Sequence, residues 1–215
     1  MDKEEIYELG LPAKEAYMPF IKFALTHIDK EDKIIDVGGG EGAYSYELIK
    51  RGYNPVCVDI NEDYIKKSKE RGVESYVMDS TSLEFDDNSF DVVILFEVLE
   101  HVKDFEKLLM ELKRIARKKI LITVPNCTGI EQLKPGFTYD HLLATDHVNF
   151  FNKKDLEEVL SKYFENYKVE ETEQLPNTIG LSNWLNYIIF GLNRLKLIKA
   201  TQIYYRLYAV IEMED

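Results

Sequence analysis

Apolar positions along the chain follow two spacings, one helical and one strand-like, and they alternate. Tyr17, Phe20, Ile21, Ala24 and Ile28 recur at helical spacing, and Pro19 suits a first turn, so residues 1–30 are expected to form a helical flank or lid. A buried strand ending at Val37 then runs into glycines, followed by a helix with Tyr44, Leu48 and Ile49 on one face. Further strands are predicted over 54–60, 74–78, 92–96 and 120–124, with helices over 61–71 and from Phe105 to Ala116 between them. The run Val92–Phe96 is apolar without a break, as a strand covered on both faces requires. After a loop over 126–151, Leu156, Val159, Leu160, Tyr163 and Phe164 mark another helix, and 167–173 and 207–213 read as strands. This alternation implies an α/β fold.

One stretch departs from the alternation. Leu181, Trp184, Leu185, Ile188, Ile189, Leu192 and Leu195 form a helical stripe between the last two strands, so a helical insertion over 175–203 is expected. The chain is then a single unit: flank 1–30, core 31–174, insertion 175–203 and last strand 204–215.

Composition narrows the function. The 215 residues carry a net charge of −12, which opposes non-specific attraction to nucleic acid phosphate. Only Cys57 and Cys127 are present, too few for a disulfide framework, and a reducing cytoplasm is the simplest setting. The charged amino terminus lacks the apolar core of a signal peptide, and no apolar run is long enough to span a bilayer. Yet no Asp or Glu occurs from Gln174 to Ile211, whereas Arg194, Lys196, Lys199 and Arg206 do. Such a basic, apolar window fits either a buried insertion, a site for an anionic small-molecule acceptor, or peripheral membrane contact through 179–199.

The glycine turn points to a nucleoside cofactor. Asp36-x-Gly38-x-Gly40-x-Gly42 lies between a strand and a helix, where glycine lets a ligand approach the backbone and unpaired helix N–H groups face it. Gly38-x-Gly40-x-x-Ala43 with Asp59 downstream satisfies the dinucleotide fingerprint. Asp36, however, places a carboxylate where a pyrophosphate would be repelled and a cationic cofactor favoured.

Later motifs decide between the two. Asp79-Ser80, the turn Asp87-Asn88-Ser89-Phe90-Asp91 and Phe96-Glu97-Val98-Leu99-Glu100-His101-Val102 follow in order. With Asp36–Gly42 and Asp59, this set over 33–125 resembles the class I, Rossmann-like methyltransferases that use S-adenosylmethionine (SAM), in their small-molecule branch. The resemblance implies a seven-stranded, mostly parallel sheet in the order 3-2-1-4-5-7-6. It implies cofactor contacts from Asp36, Gly38, Gly39, Gly40, Asp59, Ile60, Asp79, Ser80 and Phe96. Methyl transfer to a hydroxyl needs a base, and Glu97, His101 and His147 are the candidates. Glu97-x-x-Glu100-His101 with a later histidine, His147 or His141, also resembles the metal set of ubiquinone-pathway O-methyltransferases and small-RNA 2′-O-methyltransferases. The expected function is methyl transfer from SAM to a small molecule, at an oxygen of a sugar-, isoprenoid- or lipid-linked metabolite. The alternatives are a non-catalytic SAM sensor and an RNA 2′-O-methyltransferase with a metal site.

Overall fold

A computed structural model of the chain describes residues 16–127, 146–175, 188, 192 and 203–214. Helix α1 (Met18–Leu25) precedes β1 (Ile34–Val37), α2 (Ala43–Ile49), β2 (Val56–Asp59), α3 (Glu62–Glu70) and β3 (Glu74–Val77). Strand β4 (Phe90–Phe96) leads through a 3₁₀ turn (Leu99–His101) to α4 (Phe105–Ile115) and β5 (Ala116–Pro125). Helix α5 (Lys153–Ser161), β6 (Asn166–Leu175) and β7 (Ile203–Glu212) complete the described elements.

The seven strands form one sheet in the order β3-β2-β1-β4-β5-β7-β6, as the resemblance implies. Pairs from β3 across to β5 are parallel, whereas β7 runs antiparallel to both β5 and β6. Every residue of β4 is buried, because helices cover both faces of the sheet centre. Val93 and Leu95 face the layer of α4 and α5, with Leu108, Leu112 and Leu156. Val92, Ile94 and Phe96 face the opposite layer, with Phe20, Ile21 and Leu48 of α1 and α2.

Local chemistry explains several element ends. Asn61 caps α3 by accepting from the N–H groups of Asp63 and Tyr64, and Asn152 closes a capping box with Asp155 on α5. Ala116 was expected to close α4 but begins β5, which runs well before the predicted 120. The reason lies at the base of the sheet, where extending the strand brings Arg117 and Lys118 onto Asp91 and Lys118 onto Asp32.

The last two strands are also longer than their apolar cores predict. Leu175 pairs with Ile203, so both residues belong to the sheet rather than to the insertion. The rest of the expected insertion lies outside the described residues, apart from Ile188 and Leu192, which are helical; Ile188 is exposed. His141, Arg194, Lys196 and Lys199 lie outside them too, as does most of the flank before Ala16. Among the described residues, no helix is long and apolar enough to cross a membrane.

Candidate active site

The carboxyl ends of β1, β2 and β4 lie side by side at one end of the sheet, where open parallel sheets bind ligands. The glycine turn after β1 is stitched to β2, since the N–H groups of Gly38 and Gly39 both donate to the Val58 carbonyl, at 2.8 and 3.1 Å. A Cβ on Gly39 would meet the Asp36 carboxylate and the Cys57 sulfur at 2.7 Å, so only glycine lets the turn fold over that acid. Gly40 differs. Its φ is +55°, and a Cβ there would point into open space with nothing within 4 Å. That open space is the cradle a ligand would fill.

Two acids hold the cradle in distinct ways. Asp36 is buried beneath the turn, and its Oδ2 accepts a 2.8 Å hydrogen bond from the Ser45 hydroxyl. Burial pushes its pKa up to about 6, with the Asp59 charge adding to the rise and Ser45 opposing it. Asp59 ends β2, and its two oxygens accept from Gly40 N–H at 2.9 Å and Asn61 N–H at 2.8 Å. Burial raises its pKa against those two N–H groups. Each carboxylate oxygen has a second lone pair, so Asp59 retains acceptor capacity for a ribose diol.

The remaining predicted cofactor residues fall into two environments. Ile60 is 71% exposed beside Asp59, and Tyr76 and Val77 are exposed at the end of β3, an apolar rim of the kind a flat base covers. Asp79 is exposed and Ser80 half-buried at that rim. The Thr81 N–H and hydroxyl both donate to Asp79, which holds its carboxyl below the usual range. Phe96 lies away from the rim. Its ring packs against Phe20, Phe23 and Tyr44, with centroids 5.2, 6.1 and 5.6 Å away, so its side chain supports α1 and α2.

At the tip of β4 the predicted catalytic residues separate into two clusters. Glu97 turns one way. It adopts φ +53°, and its carboxylate takes a 3.1 Å bond from Thr123 Oγ1 and a 3.1 Å bond from Arg206 Nε. Burial raises the Glu97 pKa, opposed by Arg206 and Thr123. Arg206 Nη1 reaches Glu173 at 2.7 Å, while the hydroxyls of Tyr17 and Tyr208 donate to Glu173 at 2.8 and 2.6 Å. The guanidinium also stacks on Tyr17 and Phe20, 4.8 and 5.1 Å from their centroids. Burial works against the guanidinium charge, but Glu97 and Glu173 outweigh it and raise the pKa of Arg206.

Glu100, His101 and His147 form the second cluster, with one ligand atom of each within 4.8 Å of the others. The Glu100 backbone carbonyl accepts from the N–H groups of Val148 and Asn149, and the Asn149 amide donates to the carbonyls of Leu99 and Val102. These bonds bring His147 onto His101, with ring centroids 4.6 Å apart. Asp146 lies beside His101 Nδ1, its carboxylate 3.4 Å away. Glu100 is buried, and its Oε2 has no hydrogen-bond partner among the described residues. Desolvation, reinforced by the Glu97 charge, pushes its pKa well above the usual carboxylate range. An orphaned buried oxygen beside two imidazoles fits a divalent cation, so Glu100, His101 and His147 would be its ligands. Glu97, the fourth member of the sequence-derived set, is engaged by Arg206 instead.

Sequence reading missed Tyr17, Thr123, Glu173 and Tyr208 as parts of one acid–arginine cluster. Tyr17 enters that reading only on the helical stripe of the flank, and Arg206 only in the basic window. Residues separated by 109 positions, as Glu97 and Arg206 are, share no local pattern.

Residues 35–122 match a family model described as a methyltransferase domain. A demethylmenaquinone methyltransferase of Corynebacterium glutamicum is 32% identical over 93 residues, 43% of this chain and 40% of that protein. The chain thus aligns with less than half of that relative's length. A ubiquinone biosynthesis O-methyltransferase of Rickettsia bellii is 27% identical over 166 residues, 71% of this chain and 68% of that one. Among solved structures, a SAM-dependent methyltransferase of Archaeoglobus fulgidus superposes with a TM-score of 0.70 at 19% identity, covering 90% of this chain and 91% of the other.

Proposed function

We infer that the chain, whose residues 35–122 match a methyltransferase domain and whose sheet has the order β3-β2-β1-β4-β5-β7-β6, is a class I, SAM-dependent methyltransferase that methylates a small molecule at oxygen. The observation that carries this reading is the open space over Gly40, whose N–H donates to the Asp59 carboxylate at the end of β2. Asp59 would bind the ribose hydroxyls, and Ile60 would cover the adenine, with Asp79 and Ser80 at its edge. Asp36, beneath the turn, favours a cofactor with positive charge and no phosphate. The bound cofactor supplies an activated methyl group, which leaves the protein chiefly with alignment and proton removal.

Proton removal falls to the second cluster. An acceptor hydroxyl placed beside His101 and His147 would give its proton to an imidazole, with Glu100 and Asp146 as neighbouring acids. The unpartnered Glu100 Oε2 favours a second reading of the same cluster, in which a divalent cation held by Glu100, His101 and His147 lowers the hydroxyl's pKa. The names of the quinone-pathway relatives favour a quinone-type small molecule over RNA, and the O-methyltransferase among them favours reaction at oxygen. An anionic acceptor draws no support from Arg206, because Glu97 and Glu173 take up its charge.

Purified chain incubated with SAM and a panel of phenols, polyprenylated phenols, sugars and short RNA tests the reading. Formation of S-adenosylhomocysteine (SAH) is expected with a hydroxylated small molecule and not with RNA. Cofactor binding without turnover across an extended metabolite panel would favour a sensor.

A further inference from the structure

Among the described residues three other than glycine adopt positive φ: Asn88, Glu97 and Glu173, at +54°, +53° and +59°. Asn88 lies in a turn and is a residue type that tolerates this region. The other two are glutamates 76 positions apart, a residue type with no such tolerance, and both aim at one guanidinium. On β6 the register pairs Thr172 with Arg206 and Gln174 with Tyr204, so the left-handed residue falls between two ladder pairs and its side chain is re-aimed. Backbone strain of this kind is costly and persists where the surroundings over-determine it.

A lone Glu97–Arg206 pair would be neutral. Glu173 changes that balance. It accepts from Arg206, Tyr17 and Tyr208, so one guanidinium is shared between two acids. Among the described residues of this cluster, the result is one surplus negative charge at the end of β4. Exposure then says where the charge faces: the Arg206 side chain is 11% exposed and Glu173 17%, whereas Glu97 keeps 24%, the largest of the three. Glu97 follows β4 directly, and its charge acts on Tyr44 of α2 together with that of Asp36 beneath the glycine turn.

The geometry points to Glu173 as a charge-setting residue for methyl transfer: by engaging Arg206, it leaves the Glu97 carboxylate with net negative charge toward the transferred methyl. An acceptor oxygen gains positive charge as its new bond to carbon forms and before its proton leaves, and a preorganised carboxylate there stabilises that charge. Tyr17 and Tyr208 are positioning residues in this arrangement, holding Glu173 through their hydroxyls.

This inference rests on the cofactor reading, and its test needs no acceptor. Sinefungin carries an ammonium-bearing carbon where SAM carries its sulfonium and methyl; SAH carries neither the methyl nor the positive sulfur. Calorimetry of the full chain with each gives an affinity ratio. Wild type is expected to bind sinefungin at least about tenfold tighter than SAH, and Glu173→Gln, which leaves a neutral pair, is expected to lower that preference to about two- to threefold. Glu173→Asp keeps the charge and should restore most of the preference. A merely structural role would weaken both ligands together and leave the ratio unchanged, which overturns the inference. Wild type alone also decides, because SAH binding without a sinefungin preference overturns the charge assignment while sparing the cofactor site. No SAH binding at all overturns both.

Discussion

The two ends of β4 carry acids in opposite circumstances. At its start, Asp91 is buried yet richly paired: it accepts from the Lys33 N–H at 2.9 Å and Arg117 Nε at 2.9 Å, and lies 3.1 Å from Lys118 Nζ. Desolvation works against its charge, but those donors prevail and hold its carboxyl below the usual range. Just beyond the other end, Glu97 shares one guanidinium with Glu173, and Glu100 has an oxygen with no partner among the described residues. Burial raises the pKa of Glu97 and pushes that of Glu100 well above the ordinary carboxylate range. One strand therefore separates acids satisfied for folding from acids held with capacity to spare, and unsatisfied capacity is what a ligand or proton can use.

Neutralising Glu97 tests that contrast most severely. Glu97→Gln keeps the shape and the Thr123 contact but removes the charge proposed to face the transferred methyl, and kcat should fall about 10²-fold or more. The melting temperature should change little, since Arg206 retains Glu173. An unchanged kcat would make the upper acids as structural as the lower ones. Glu100 comes next. Glu100→Gln, or chelation of the wild-type protein, should cost about 10–100-fold if a cation sits with His101 and His147, and added Mg²⁺ should restore the chelated enzyme but not the variant. Full activity after chelation, confirmed by elemental analysis, would leave those histidines with the base role alone.

Sequence revealed the two ends unequally, for physical reasons. The cofactor half is encoded locally: strand, glycines and helix are contiguous from Ile34 to Ile49, and Asp59 follows one βα unit later. The acceptor half is assembled across the sheet. The antiparallel β7 inserts beside β5 and pairs Arg206 with Pro125, which places the guanidinium within reach of Glu97. Periodicity cannot specify strand neighbours, and the expected order came from family resemblance. Nor does a glutamate signal φ near +55°, so nothing in the letters marked Glu97 and Glu173 as partners. Ala116 failed as a helix end for a related reason: its apolar side chain continues the α4 face, while the ion pairs that extend β5 are long-range.

Asp36 offers a pH test of intermediate size. Its folded pKa of about 6 lies above the unfolded value of about 4, so its contribution to stability is full below about pH 4 and is lost as pH rises through about 6. A cationic cofactor favours the carboxylate, so binding should release a proton and tighten as pH rises. The apparent SAM affinity should increase about tenfold from about pH 5 to about pH 7, then level off. In Asp36→Asn the calorimetric profile should be flat over that range. An equal slope in both proteins would assign the proton to another group.

At the base of the sheet the effect should be confined to stability. Asp91→Asn retains a hydrogen-bonding side chain but loses the charge that Arg117 and Lys118 face. Those cations are 58% and 50% exposed, so water compensates part of the loss and the cost should be about 1–2 kcal/mol, below that of a fully buried pair. Chemical denaturation would show a lower midpoint with an unchanged slope, while kcat and cofactor affinity stay at wild-type values. Asp91 and Glu97 sit at opposite ends of one fully buried strand, so coupling between them has a direct path. If kcat also fell at a temperature where the variant is fully folded, the lower acids would be transmitting strain along β4, and the separation of folding from chemistry would fail at its most rigid element.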